Sequence, residues 1–153
     1  MTVSATEVAR RVLLFEQALR SEGFRVTHQR LEVACEIARS DSHPDVETIY
    51  RGVRERIPTI SLDTVYRTLG ELERLGLIGR VIATPGPARY DSNQAPHHHF
   101  VCQRCGLIRD LYGECLDSIS APDQTAPVGR VEGVEVRFHG VCHECTRKEP
   151  RHE

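Results

Sequence analysis

The sequence predicts an α+β fold in two small domains: an N-terminal winged helix-turn-helix and a smaller β-rich unit built around four cysteines. Three observations carry this expectation. Apolar residues recur at helical spacing through four successive segments and then give way to a hairpin pattern. Cys102 and Cys105 form one Cys-x-x-Cys pair, and Cys142 and Cys145 form another. Between these regions lies a stretch punctuated by Pro85, Gly86, Pro87 and Pro96. The expected division is residues 1–84, a hinge over 85–96, and residues 97–153. At 153 residues, two such domains would each be short of core and would need a staple, such as a metal or a dimer interface.

In the first helix, Val8, Val12, Phe15 and Leu19 share one face, and Gly23 is the expected stop. Thr27 is a candidate N-cap for a second helix carrying Leu31, Ala34, Cys35 and Ala38. "SHPDVETIYRGVRERIP" reads as a third helix. Ser42 is its expected cap, Pro44 suits its first turn, Val46, Ile49, Tyr50 and Val53 form its apolar stripe, and Pro58 closes it. In "ISLDTVYRTLGELERLGLI", Ser61 suits the N-cap, Asp63 the first turn, and Gly76 the end. Leu62, Val65, Leu69 and Leu72 face the core, while Thr64, Tyr66, Arg67, Glu71 and Arg74 face away. "LIGRVIA", the turn "TPGP" and "ARYD" read as a β-hairpin, the wing. Farther on, "HHFVC" and "LIRDLY" read as strands flanking the first cysteine knuckle, and "ECLDSIS" as a short helix. "RVEGVEVRFHGVC", with Val134, Val136 and Phe138 alternating with Glu135, Arg137 and His139, reads as a half-buried strand.

The composition, 39% hydrophobic and 27% charged, is that of a globular chain. No apolar run is long enough to span a bilayer, and the N-terminus lacks a secretory pattern, so a cytoplasmic protein is expected. Net charge is −2, so any nucleic-acid contact must come from local clusters rather than an overall basic surface. Lys148 is the only lysine, so those clusters would be arginine.

Two cysteine knuckles supply four thiolates, which suits a structural Zn2+ held tetrahedrally at about 2.3 Å per bond. The other readings are a redox pair or buried core thiols. No βαβ pattern surrounds either pair, which argues against redox use. Cys35 falls on an apolar helix face and is read as core, and Cys115 has no assigned role. His97 and His99 point to one side of a strand, Asp110 follows in the next strand, and Asp91 ends the wing. A mixed imidazole and carboxylate set suits Fe(II), Mn(II) or Zn(II). Spacing alone also fits a solvated turn rich in histidine.

Taken in order, "DSHPDVETIY", "TVYRTLGELERLGLI", "HHHFVCQRCG", "LIRD" and "VCHEC" resemble the ferric uptake regulator (Fur) family of bacterial metal-dependent repressors. The resemblance covers nearly the whole chain. It implies an N-terminal DNA-binding domain, a C-terminal α/β dimerisation domain with a four-cysteine zinc site, a homodimer, and double-stranded operator DNA as partner. It implies that His43, Asp91, His97, His99 and Asp110 hold a regulatory Fe2+ or Mn2+. His98 and Asp117 are left over as possible weak ligands, because Val134 stands where a further histidine would be expected. Tyr66, Arg67, Thr64, Ser61 and Arg30 are the expected DNA contacts.

Iron-uptake repressors of this family usually carry glutamate at the two positions occupied here by Asp91 and Asp110, whereas peroxide sensors carry aspartate. The resemblance therefore leans toward the peroxide-responsive PerR branch, in which His43 or His97 would be the oxidised residue. The alternative is an iron- or zinc-responsive repressor. Arg67 is typical of the family at large, while some peroxide sensors carry asparagine there. A rival from another class, a non-haem iron oxygenase, would need a large β-barrel around the metal, and too few strands are available for one. No enzyme is expected.

Overall fold

The computed structural model describes residues 3–82, 86–125 and 127–148. The chain divides into two compact units: one runs to Ile82 and resumes over Pro87–Gln94, and the other runs on from Ala95.

The first unit holds four helices and a hairpin. Helix α1 spans Ala5–Ser21, α2 His28–Arg39, α3 Val46–Arg56 and α4 Leu62–Arg74; strands β1 and β2 are Gly79–Ile82 and Ala88–Asp91. Each helix starts on a side-chain cap, with Ser4, Thr27, Asp45 and Ser61 accepting from the backbone N–H three residues on. Each such cap contributes about 1 kcal/mol. The third differs from expectation. Asp45 rather than Ser42 caps α3, so Pro44 lies before the helix, and the Ser42 backbone N–H instead donates to the Ser40 hydroxyl. A carboxylate placed next to the first helical residue can reach the Thr48 N–H; Ser42 starts too early in the chain to do so.

Phe15, Leu19, Val33, Ile37, Ile49, Val53, Val65, Leu69 and Leu72 form one continuous core, to which Ile78 and Tyr90 add the wing. Fully burying one such side chain stabilises the fold by about 1.5–3 kcal/mol. Thr68 is buried on the same face of α4, its hydroxyl donating to the Thr64 carbonyl. Cys35 is half-buried rather than core: it lies at the rim, in an open groove with Val8, Val12 and Leu13. β1 pairs antiparallel with β2, setting Gly79 opposite Asp91. The first half of the "TPGP" turn, Thr84 and Pro85, lies outside the described residues.

The second unit holds β3 (His98–Cys102), β4 (Ile108–Leu111), α5 (Glu114–Asp117), a 3-10 turn (Asp123–Thr125), β5 (Arg137–Gly140) and α6 (His143–Arg147). The sheet order is β4-β3-β5, with β4 antiparallel and β5 parallel to β3. The expected long strand after residue 130 is confined to these four residues, and Val134 and Phe138 are 43% and 45% exposed rather than half-buried. The alternation is present in the sequence, but among the described residues no layer covers its apolar face. Among the described residues, no helix is long and apolar enough to cross a membrane.

Candidate metal centres and recognition helix

The four cysteines come together at one end of the small sheet. Cys102 ends β3, and the chain then turns back through Gly106, whose φ of +70° favours glycine. The Cys102 N–H bonds the Leu107 carbonyl at 2.8 Å, which closes the first knuckle. Cys142 opens α6 and Cys145 sits one turn on, forming the second. All four Sγ atoms lie within 4.8 Å of one another, with Cys105 and Cys142 at 3.7 Å. Tetrahedral thiolates around zinc stand roughly 3.8 Å apart, so the set fits that ion.

The charges agree with this fit. Backbone N–H groups of Cys105 and then Cys142 donate to the Cys102 sulfur and lower its pKa to about 6. The neighbouring Cys105 sulfur, then burial, push Cys145 up to about 12. Without a cation, sulfurs this close cannot all ionise; a divalent cation removes that conflict by binding thiolates.

The imidazole and carboxylate groups fall into two sets. In the first unit, buried His43 and Asp91 approach to 3.6 Å between Nε2 and Oδ2. His43 adopts φ +52° immediately before Pro44, a conformation that costs about 1–3 kcal/mol for a residue other than glycine. The Tyr90 N–H, donating to the Pro44 carbonyl at 3.0 Å, ties this corner to the wing strand that ends on Asp91.

In the second unit, strand register builds the other set. His99 of the central strand β3 pairs with Asp110 on β4 and Arg137 on β5, forming one row across the sheet. His97 lies two residues before His99. His97 Nδ1 is 2.7 Å from the Ala95 carbonyl, so its proton sits there and Nε2 carries the lone pair. His99 Nδ1 is 3.1 Å from the Glu135 carboxylate, with the same consequence. The two Nε2 atoms face each other at 3.0 Å, and Asp110 Oδ1 lies 3.9 Å from that of His99. Neighbouring ligands on an ion at about 2.1 Å stand roughly 3.0 Å apart. Two imidazole lone pairs and a carboxylate therefore converge where a divalent cation would satisfy all three. Tyr112 donates to the other oxygen of Asp110 at 3.1 Å and fixes its plane.

His98 points elsewhere. Its Nδ1 accepts from the Val136 N–H at 3.0 Å, and its Nε2 lies 3.2 Å from Asp117. The one side chain the sequence did not single out is Glu135. Its carboxylate bonds both His99 and Arg137. Burial pushes its pKa up, but Arg137 and then His99 outweigh this and hold it below the usual carboxylate value.

On α4, Tyr66 is 52% exposed and Arg67 more so, reaching toward Asp63 one turn back. Ser61 and Thr64 share the cap at the start of this helix. Arg30 is differently placed: its guanidinium pairs with Glu71 at 2.9 Å and bonds the Arg25 carbonyl.

A helix-and-wing unit in the same chain as a thiolate cluster and imidazole–carboxylate sets defines a metal-responsive regulator of DNA. The sequence profile of the ferric uptake regulator family matches residues 21–139, and the chain belongs to that family of metal-responsive repressors. It is 30% identical over 128 residues to the peroxide-responsive repressor PerR of Staphylococcus epidermidis, covering 84% of this chain and 85% of that protein. It is also 30% identical over 144 residues to the ferric uptake regulation protein of Bacillus subtilis, covering 91% and 97%. The solved structure of Fur from Helicobacter pylori shares the fold, with a TM-score of 0.77 at 22% identity over 94% of this chain and 96% of that one.

Proposed function

We propose that this chain is a cytoplasmic, homodimeric repressor that senses peroxide, with Fe2+ or Mn2+ as corepressor and Zn2+ as structural metal at the four cysteines. One regulatory ion would take His43 and Asp91 from the first unit and His97, His99 and Asp110 from the second. The observation that carries this reading is the convergence of the two Nε2 lone pairs with Asp110. Aspartate, rather than glutamate, at positions 91 and 110 supports the peroxide branch.

A shared ion would couple the units. It favours whichever arrangement brings its ligands together, and through the dimer it sets the distance between two α4 helices. DNA half-sites lie about one turn apart, so only some distances dock. A 100-fold preference for the docking arrangement supplies about 2.7 kcal/mol per site. Tyr66 and Arg67 then meet base edges or phosphates, Ser61 and Thr64 meet phosphate at the helix start, and Arg30 contacts phosphate after leaving Glu71. The exposed apolar face of Val134, Phe138 and Val141 supplies surface for the second copy.

Fe2+ held by these five residues would supply the redox chemistry that cleaves the peroxide O–O bond, while the histidine ring would be the net two-electron donor. His43 or His97 would gain one oxygen atom while the peroxide leaves as water. An oxidised ring is a poor ligand, so the link between the units is lost and the DNA is released. Mn2+ supports DNA binding without this step.

The test is operator binding by protein whose regulatory site is empty, Mn2+-loaded or Fe2+-loaded, each with and without peroxide. Release of the Fe2+ form alone, with a one-oxygen mass gain on the His43 or His97 peptide, is expected. Metal-dependent binding that ignores peroxide would instead establish an iron-responsive repressor, the second reading, which Arg67 in its family-wide form favours.

A further inference from the structure

We propose that Glu135 is a positioning residue for the regulatory metal, holding His99 with Nε2 aimed at the ion through a hydrogen bond at Nδ1. This rests on the five-ligand reading above.

The argument starts from the two nitrogens of one ring. An imidazole presents a lone pair at one nitrogen only if its proton is held at the other, and the group that accepts that proton also fixes the plane of the ring. Glu135 Oε1 stands 3.1 Å from His99 Nδ1. The same oxygen accepts from Arg137 Nη2 at 2.9 Å and Nε at 3.3 Å. A carboxylate on a strand lead-in has several rotamers, and the guanidinium removes that choice. The backbone completes the frame: His99 N–H donates to the Val136 carbonyl at 3.1 Å, and Arg137 sits in register beside His99.

The arrangement is thus a relay from Arg137 to Glu135 to His99, built on β5 and the residue pair preceding it. It gives β5 a role beyond its short pairing with β3. His97 has a different support, the Ala95 carbonyl, which is neutral. The two rings therefore differ in what orients them: a carboxylate for His99 and a backbone carbonyl for His97. Glu135 reaches His99 at Nδ1, the nitrogen turned away from His97 and Asp110, so the residue acts through His99 rather than as a ligand itself.

The experiment compares Mn(II) dissociation constants, read by the electron paramagnetic resonance of free Mn(II), for the zinc-loaded protein and its Glu135→Ala, Glu135→Gln and His99→Ala variants. Zinc content of one ion per chain confirms the fold of each. Glu135→Ala is expected to weaken Mn(II) binding by about 10- to 100-fold. Glu135→Gln keeps an acceptor oxygen and should recover most of that loss. Nitrogen-15 spectra of zinc-loaded protein without Mn(II) should show the His99 proton at Nδ1 in the parent and a mixture in Glu135→Ala. The proposal is overturned if Glu135→Ala binds Mn(II) within twofold of the parent, if Glu135→Gln is as weak as Glu135→Ala, or if Glu135→Ala abolishes binding as fully as His99→Ala, which would make Glu135 a ligand. Failure of the five-ligand reading gives a separate result: His99→Ala itself binds Mn(II) normally.

Discussion

The two units stabilise themselves in different ways. The first buries an apolar cluster that runs from Phe15 to Tyr90 and includes residues from all four helices and the wing. In the second, Val101 and Ile108 are the only fully buried aliphatic side chains among the described residues, and the other buried positions are Cys102, Gly106, Cys142, His98 and His99. A three-stranded sheet with so little apolar burial does not offset the conformational entropy of ordering its chain. The contrast predicts two different roles for a bound metal. In the second unit an ion at the four cysteines would stand in for a core, while in the first a metal would act only through His43 and Asp91, beside a core built without it.

The largest expected effect breaks this comparison directly. Zinc removal by a strong chelator, or Cys102→Ser, should unfold the second unit and leave the first folded. Metal binding at such a site supplies on the order of 10 kcal/mol of folding free energy. Amide exchange over β3, β4 and β5 should rise from protected to solvent-like rates while α1 to α4 keep their protection. A Cys102→Ser chain that holds no zinc yet still protects β3 would mean that the sheet has a core of its own.

The converse change weighs the first unit. Leu69 is fully buried at the centre of α4, and Leu69→Ala leaves a cavity that the helices around it cannot close. The expected loss is about 3–5 kcal/mol, seen as a lower urea midpoint for the helical signal. Zinc content should stay at one per chain. Loss of zinc together with helicity would show the two units to be one cooperative body.

Much of this was legible in the sequence. Four helices, the caps Thr27 and Ser61, the wing strands and both knuckles follow from spacing and end signals, because helix period and Cys-x-x-Cys geometry are local. His99 and Asp110 were legible as neighbours because adjacent strands around a knuckle pair in register, whereas His97 lies just before the strand it was read into. Three features were hidden. Asp45 displaced Ser42 as a cap because both residue types cap well, and only the position of Pro44 in three dimensions decides between them. The stretch around Val134 alternates like a buried strand, yet among the described residues nothing covers it. The link from Glu135 to His99 spans 36 residues and depends on parallel register, which no local pattern encodes.

The smallest expected effect separates charge from packing inside the first unit. Glu7 accepts hydrogen bonds from Arg10 and Arg11 at 2.8 Å each; Arg11 also donates to Ser92, whose hydroxyl bonds the Ile37 carbonyl. The chain of contacts joins the first turn of α1 to α2 and to the segment after β2. The Arg10 bond, then the Arg11 bond, hold the Glu7 carboxyl at about 2, below its usual 4.5. A carboxyl depressed in the folded state stabilises it above the unfolded value and stops doing so as pH falls through the folded one, here between 4.5 and 2. Glu7 is partly exposed, so screening limits its pairing with Arg11 to about 0.3–0.5 kcal/mol. Glu7→Gln should therefore lower α1 amide protection slightly at pH 7, and the difference should shrink toward zero near the acid end of that window. An equal difference at both ends would assign the contact to packing along the Glu7 stem rather than to its charge.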